Sequence, residues 1–140
     1  MKPRKTKRQR DIEDPLSRYW MRKTDVEFGK LFHSVPHYCQ ICNLSKTEMA
    51  HLIPRQNYLF RWDMRNIIPL CANHHKWSSE ISIHQNPAAF FVWLKKNNPE
   101  KWQFLQENKE VITRKKELPW TFKEKFEELK SESERNDIPD

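Results

Sequence analysis

The chain has 140 residues, 36% of them hydrophobic, and 26 Lys and Arg against 19 Asp and Glu give it a formal charge of +7. That length suits one small domain with tails, and the low apolar fraction makes a core held by hydrophobic burial alone too thin, so another staple is expected. With one glycine there is no P-loop or dinucleotide fingerprint, and no serine-centred nucleophile motif is present, which excludes ATP-driven and Rossmann chemistry.

No run approaches the roughly 18 apolar residues of a membrane span, and the first residues lack the apolar segment of a signal peptide. A soluble, cytoplasmic protein without a membrane partner is expected. Three cysteines in a reducing compartment argue for metal binding or catalysis rather than a disulfide framework.

In chain order, Lys2, Arg4, Lys5, Lys7, Arg8 and Arg10 precede the first acid, Asp11, and leave a charge of only +1 for the rest. Residues 1–14 are therefore read as a disordered basic arm. Its cations, Lys5, Lys7 and Arg8 among them, suit phosphate contacts that release counterions, although a solubilising or targeting tail would have the same composition. Asp14-Pro15 then looks like a helix start, and Leu16, Tyr19, Trp20, Val26 and Phe28 carry the helix to about Ser34, with Gly29 a candidate break.

Between His37 and Trp77 lie all three cysteines and four of the six histidines, the chemical centre of the chain. Asn86-Pro87 and Asn98-Pro99 each combine a capping asparagine with a proline for the first helical turn. They predict one helix carrying Phe90, Phe91, Val92, Trp93 and Leu94, and another with Trp102, Leu105, Lys109 and Ile112 on one side, closed by Leu118-Pro119. A last amphipathic stretch has Phe122, Phe126 and Leu129 at helical spacing, and 131–140 reads as a flexible tail. Trp93, Trp102, Trp120 and Phe126 are taken as core residues rather than base-stacking ones. Residues 15–130 are expected to form a single domain, with a core over about 37–80 and C-terminal helices over about 87–130.

Cys39-Gln-Ile-Cys42 and Cys71-Ala-Asn-His74 are two ligand pairs with equal gaps. Thiolates and an imidazole in this pattern can close a tetrahedron around a structural Zn²⁺, and because the metal's binding free energy is also folding free energy, it supplies the expected staple. His75, one position on, would serve the same geometry, so the fourth ligand is His74 or His75.

His51, Asn66 and His75, interleaved with these pairs, resemble the HNH nuclease family in its zinc-stabilised form. The resemblance implies an α+β, mostly helical chain: a ββα-metal module with an N-terminal helix and C-terminal helices. It implies His51 as the general base that deprotonates the attacking water, Asn66 as the residue that orients it, and His75 as ligand of a catalytic Mg²⁺ or another divalent cation. Cys39, Cys42, Cys71 and His74 would hold the zinc. In many members an acidic residue or histidine immediately precedes the general base; here that position is Ala50, and Glu48, Ser79, Glu80 and His84 are near enough in sequence to substitute.

Ala50-His51 before Leu52-Ile53-Pro54-Arg55, the run Arg61 to Asn66, and His84-Gln85-Asn86-Pro87 further resemble the NinG-like group of phage recombination proteins. That resemblance implies branched or otherwise structured DNA as partner, in a bacterial or phage-infected cell. Arg55, Arg61 and Arg65, between base and asparagine, are expected to grip phosphates flanking the scissile bond. His33 and His37 are read as structural. The alternatives are a non-catalytic zinc module that binds DNA through the arm, and one that binds a partner protein through the aromatic helices.

Overall fold

The computed structural model describes residues 1–136 and forms two compact units, one from Met1–Val35 with the C-terminal segment beginning at Arg114, the other Pro36–Thr113. The described residues are mostly helical, with one two-stranded sheet among them. No described helix is long and apolar enough to cross a membrane.

The Pro36–Thr113 unit is built on an antiparallel hairpin of β1 (Glu48–His51) and β2 (Ile67–Leu70), with Glu48 opposite Leu70 and His51 opposite Ile67. Ala50, Ile68 and Leu70 are wholly buried. Pro69 is tolerated because a two-stranded sheet has only edge strands, and its carbonyl accepts from the Gln40 N–H at 3.2 Å, which latches the first cysteine pair onto β2.

Between the strands run the single turn α3 (Tyr58–Arg61) and a 3-10 turn, Met64–Asn66, and after β2 comes a π-helical turn, Asn73–Trp77. Helices α4 (Pro87–Asn97) and α5 (Pro99–Asn108) start as the Asn-Pro pairs predict: Asn86 and Asn98 accept from the N–H groups of Ala89 and Lys101. Phe90, Leu94, Phe104 and Leu105 join Leu52, Ile53, Phe60, Ile68 and Leu70 in one core, with Trp93 and Trp102 packed at its margin. Helix α5 stops at Asn108, short of the predicted end; Ile112 is 87% exposed and does not share the face of Leu105.

The other unit contains α1 (Lys7–Glu13), α2 (Arg18–His33) and α6 (Phe122–Asn136). Where the composition led to a disordered arm, α1 forms because Thr6 and Gln9 make a reciprocal capping box, and because the Trp20 indole N–H and the Ser17 hydroxyl donate to the carbonyls of Ile12 and Asp11. Helix α2 runs unbroken through Gly29. Its buried Trp20, Thr24, Phe28 and Phe32 belong to the same unit as the buried Phe122 and Leu129 of α6, and the Thr24 hydroxyl reaches the Phe122 carbonyl at 3.1 Å. The tail predicted over 131–140 is helical as far as Asn136, and its remainder lies outside the described residues.

Candidate metal and catalytic site

Two loops meet at the cysteines. The Cys39 N–H donates to the Leu44 carbonyl and the Asn43 N–H to the Cys39 carbonyl, each at 2.8 Å. This tight turn needs a left-handed residue, which Asn43 provides at φ 66°. The second pair straddles the start of the π-helical turn. Here the His74 Nδ1 lies 3.3 Å from the Cys71 Sγ and 3.7 Å from the Cys39 Sγ, and the Cys42 and Cys71 sulfurs are 3.7 Å apart. All four donor atoms fall within 4.8 Å of one another.

The electrostatics of this cluster suit a dication. Burial pushes the Cys39 thiol up, but the backbone groups of Cys71, Cys42 and Ile41 and the His74 ring outweigh it and bring it to about 6, into the thiolate range at neutral pH. The Leu44 backbone pulls Cys42 down, yet burial and the crowded sulfurs of Cys39 and Cys71 leave it raised. Sulfurs that disfavour one another's ionisation are what a cation between them relieves, and a Cys3His donor set fits tetrahedral zinc. His74, not His75, completes it.

His75 is turned to a different partner. Its Nδ1 lies 2.8 Å from the Glu48 carboxylate, which also receives Lys76 at 3.6 Å. A carboxylate accepts, so Nδ1 carries the proton and Nε2 keeps the lone pair. Burial draws His75 below its ordinary value, with the Glu48 contact opposing. The Glu48 carboxyl is held below the usual range, first by the hydrogen bond from His75.

Of the residues that could compensate for Ala50, two stand at His75: Glu48, and His84, whose ring centroid is 4.9 Å away. The His84 N–H donates to the His75 carbonyl. By contrast, Ser79 and Glu80 offer their carbonyls to the Asn86 amide.

His51 ends β1 with its Nε2 2.9 Å from the Arg61 carbonyl. Since a carbonyl only accepts, Nε2 is the donor of this bond and carries a proton.

Asn66 has another occupation than the one expected. Fully buried, its Oδ1 accepts from the Ile53 N–H at 2.7 Å, and its Nδ2 donates to the carbonyls of Ile53 (3.0 Å) and Phe60 (3.2 Å). Both amide hydrogens are thereby used on the backbone, so Asn66 fixes the loop whose next residue, Arg61, holds His51. Replacing it (Asn66→Ala) orphans the buried N–H and carbonyl of Ile53 at about 1–3 kcal/mol each, while the Phe60 carbonyl keeps the Asp63 N–H, and the urea midpoint is expected to fall by an amount equivalent to at least about 2 kcal/mol. An unchanged midpoint would show that the loop stands without it.

The arginines divide. Arg55 is exposed. Arg61, expected on DNA, is only 8% exposed; it donates to the Arg55 carbonyl at 3.2 Å and lies over the rings of Tyr58 and Trp62, where it braces the loop from inside. Arg65 is exposed but forked on Asp63, with Nη2 to Oδ2 at 2.6 Å, above the Phe104 ring. Lys7 and Arg8 lie on the exposed first turns of α1, and the Lys5 ammonium meets Glu13 at 2.6 Å. Sequence reasoning left Glu48 as one of four candidates. Its position two residues before Ala50 on a strand was the available signal, but nothing local shows that it meets His75.

A hairpin, a Cys3His cluster and a short helical turn make this a metal-binding, nuclease-type module. Residues 39–84 match the family model described as HNH endonuclease, which supports that family for the segment. No curated protein and no solved structure matches the chain.

Proposed function

We propose that the chain is a metal-dependent HNH endonuclease or nickase that hydrolyses DNA phosphodiester bonds, with structural zinc on Cys39, Cys42, Cys71 and His74. The observation that carries the reading is the pairing of Glu48 with His75, which gives this chain a carboxylate at the proposed metal ligand although position 50 is alanine.

In this reading His51 Nδ1 takes the proton of the attacking water while the Arg61 carbonyl holds the ring. The new bond from that oxygen to phosphorus forms as the bond to the 3′-oxygen breaks. His75 Nε2 is the protein ligand, oriented by Glu48, with the His84 ring beside it. A divalent cation bound there supplies charge stabilisation to the phosphate and the leaving oxygen. Arg55 and Arg65 border the loop as contacts to flanking phosphates. Branched recombination intermediates are the substrate class that the NinG-like resemblance brings, in a cytoplasmic, phage-infected setting.

The test is nicking of supercoiled plasmid and of a four-way DNA junction by zinc-loaded protein, under Mg²⁺ and Mn²⁺ titration. Glu48→Gln should fold normally and keep its zinc, yet need roughly 10–100-fold more metal for half-maximal cleavage, the usual cost of losing a carboxylate behind a ligating histidine. An unaltered metal requirement would remove Glu48 from the site. No cleavage of either DNA with any metal, beside intact DNA binding, would favour the non-catalytic zinc module.

A further inference from the structure

Outside the zinc module, an open groove of 340 Å³ runs between α2 and α6, lined by Arg22, Lys23, Val26, Glu27, Lys30, Phe126 and Lys130. Its cations outnumber its one acid four to one. The acid among these residues, Glu27, has a side chain only 10% exposed and bonded to Lys30 at 3.3 Å. The four cations stand exposed around it. Lys23 and Lys130 lie over the Phe126 ring, 5.6 and 5.8 Å from its centroid, so their ammonium groups are held in place over an aromatic floor.

Composition does not explain this segregation. Helix α6 has more glutamates than lysines and arginines, yet the residues it gives to the groove are Phe126 and Lys130. Helix α2 brings Arg22, Val26 and Lys30 to one stripe, at a spacing of one helical turn each.

We infer that this groove is a docking surface for the sugar–phosphate backbone of DNA, a second contact outside the catalytic module. The assignment rests on the nuclease reading for its choice of polyanion. Four exposed cations against two apolar side chains match a chain of phosphates, whereas an acidic amphipathic peptide would need a larger apolar floor to bury its hydrophobic face. The same unit also carries the arm with Lys2, Arg4, Lys5, Lys7, Arg8 and Arg10, all in the first ten residues.

The experiment compares the full zinc-loaded chain with its Arg22→Gln/Lys23→Gln/Lys30→Gln/Lys130→Gln variant by fluorescence anisotropy on a labelled duplex across a salt series. Because these side chains are exposed, the variant should keep the wild-type circular dichroism and zinc content. Each lost phosphate contact makes the slope of log affinity against log salt shallower by about 0.9. A slope shallower by roughly two to four, with at least about tenfold weaker binding at low salt and no change in sequence preference, is the expected result.

Equal slopes and affinities would overturn the assignment, and displacement of poly-glutamate from the wild type alone would then give the groove to an acidic peptide. The two readings fail separately. Groove-dependent binding without cleavage would retire the nuclease reading and keep the groove, whereas normal cleavage and binding by the variant would retire the groove alone.

Discussion

Stripping zinc from the protein, or replacing Cys71 by serine, is expected to unfold the Pro36–Thr113 unit. The Cys39 and Cys71 side chains are core members, 2% and 4% exposed, in the same cluster as Ile68, Leu70, Phe90 and Leu94. The cluster's side chains come from both ends of the module, so a zinc bound there would join the turn before β1 to the helical turn after β2. Structural zinc contributes about 10–16 kcal/mol in small modules, against a whole-domain stability of about 5–15 kcal/mol. A core this small has no reserve to replace it. The measurement is hydrogen exchange with and without a strong chelator at neutral pH, alongside zinc content. Protection of the Ile68, Leu70 and Phe90 amides should be lost, with the loss concentrated in 36–113, while α2, whose buried residues include no cysteine, provides the comparison. Full protection in protein shown to be metal-free would remove the structural role from the cluster.

His51→Ala is expected to abolish DNA cleavage while leaving the fold in place. The imidazole is half-buried at the end of β1, where it bonds the Arg61 carbonyl, so its removal deletes polar contacts rather than a core side chain. General-base catalysis contributes typically 10²–10⁴-fold, and kcat should fall by that range with zinc content, duplex affinity and thermal midpoint near wild type. His51→Gln should be equally inactive, since an amide can accept from the Nδ1 direction but cannot carry a proton away at neutral pH. Cleavage by either variant at the wild-type rate would leave the chain as a zinc module that binds without cutting.

Much of the Cys3His cluster was legible in the sequence because its signals are short-range. Two gaps of two residues brought the four ligands into view, and the Asn-Pro pairs marked helix starts through local capping chemistry that the structure reproduces at Asn86 and Asn98. The end of α5 was not legible, because Ile112 continues the helical spacing while the chain has already left the core. Helix α1 was masked by its own composition: charge density argued for disorder, but the capping box and the Trp20 indole outweigh it. Arg61 reads as a surface cation in any linear inspection, and only packing against Tyr58 and Trp62 makes it internal.

The sequence by itself determined which side chains are candidates for the chemistry: three cysteines with His74 or His75 at zinc spacing, and His51 at the close of an apolar segment. Tertiary structure decided how they are used. It assigned His74 to the sulfurs and His75 to Glu48, set Asn66 on the backbone of Ile53 and Phe60, and formed a basic groove from helices whose buried hydrogen-bonding partners, Thr24 and Phe122, are 98 positions apart. The physical reason is the range of the interactions. Ligand spacing and capping act within a turn or two of chain, whereas the partner of a carboxylate or a buried amide is chosen by which strands and helices bury their apolar faces together, and that choice is made across the whole core.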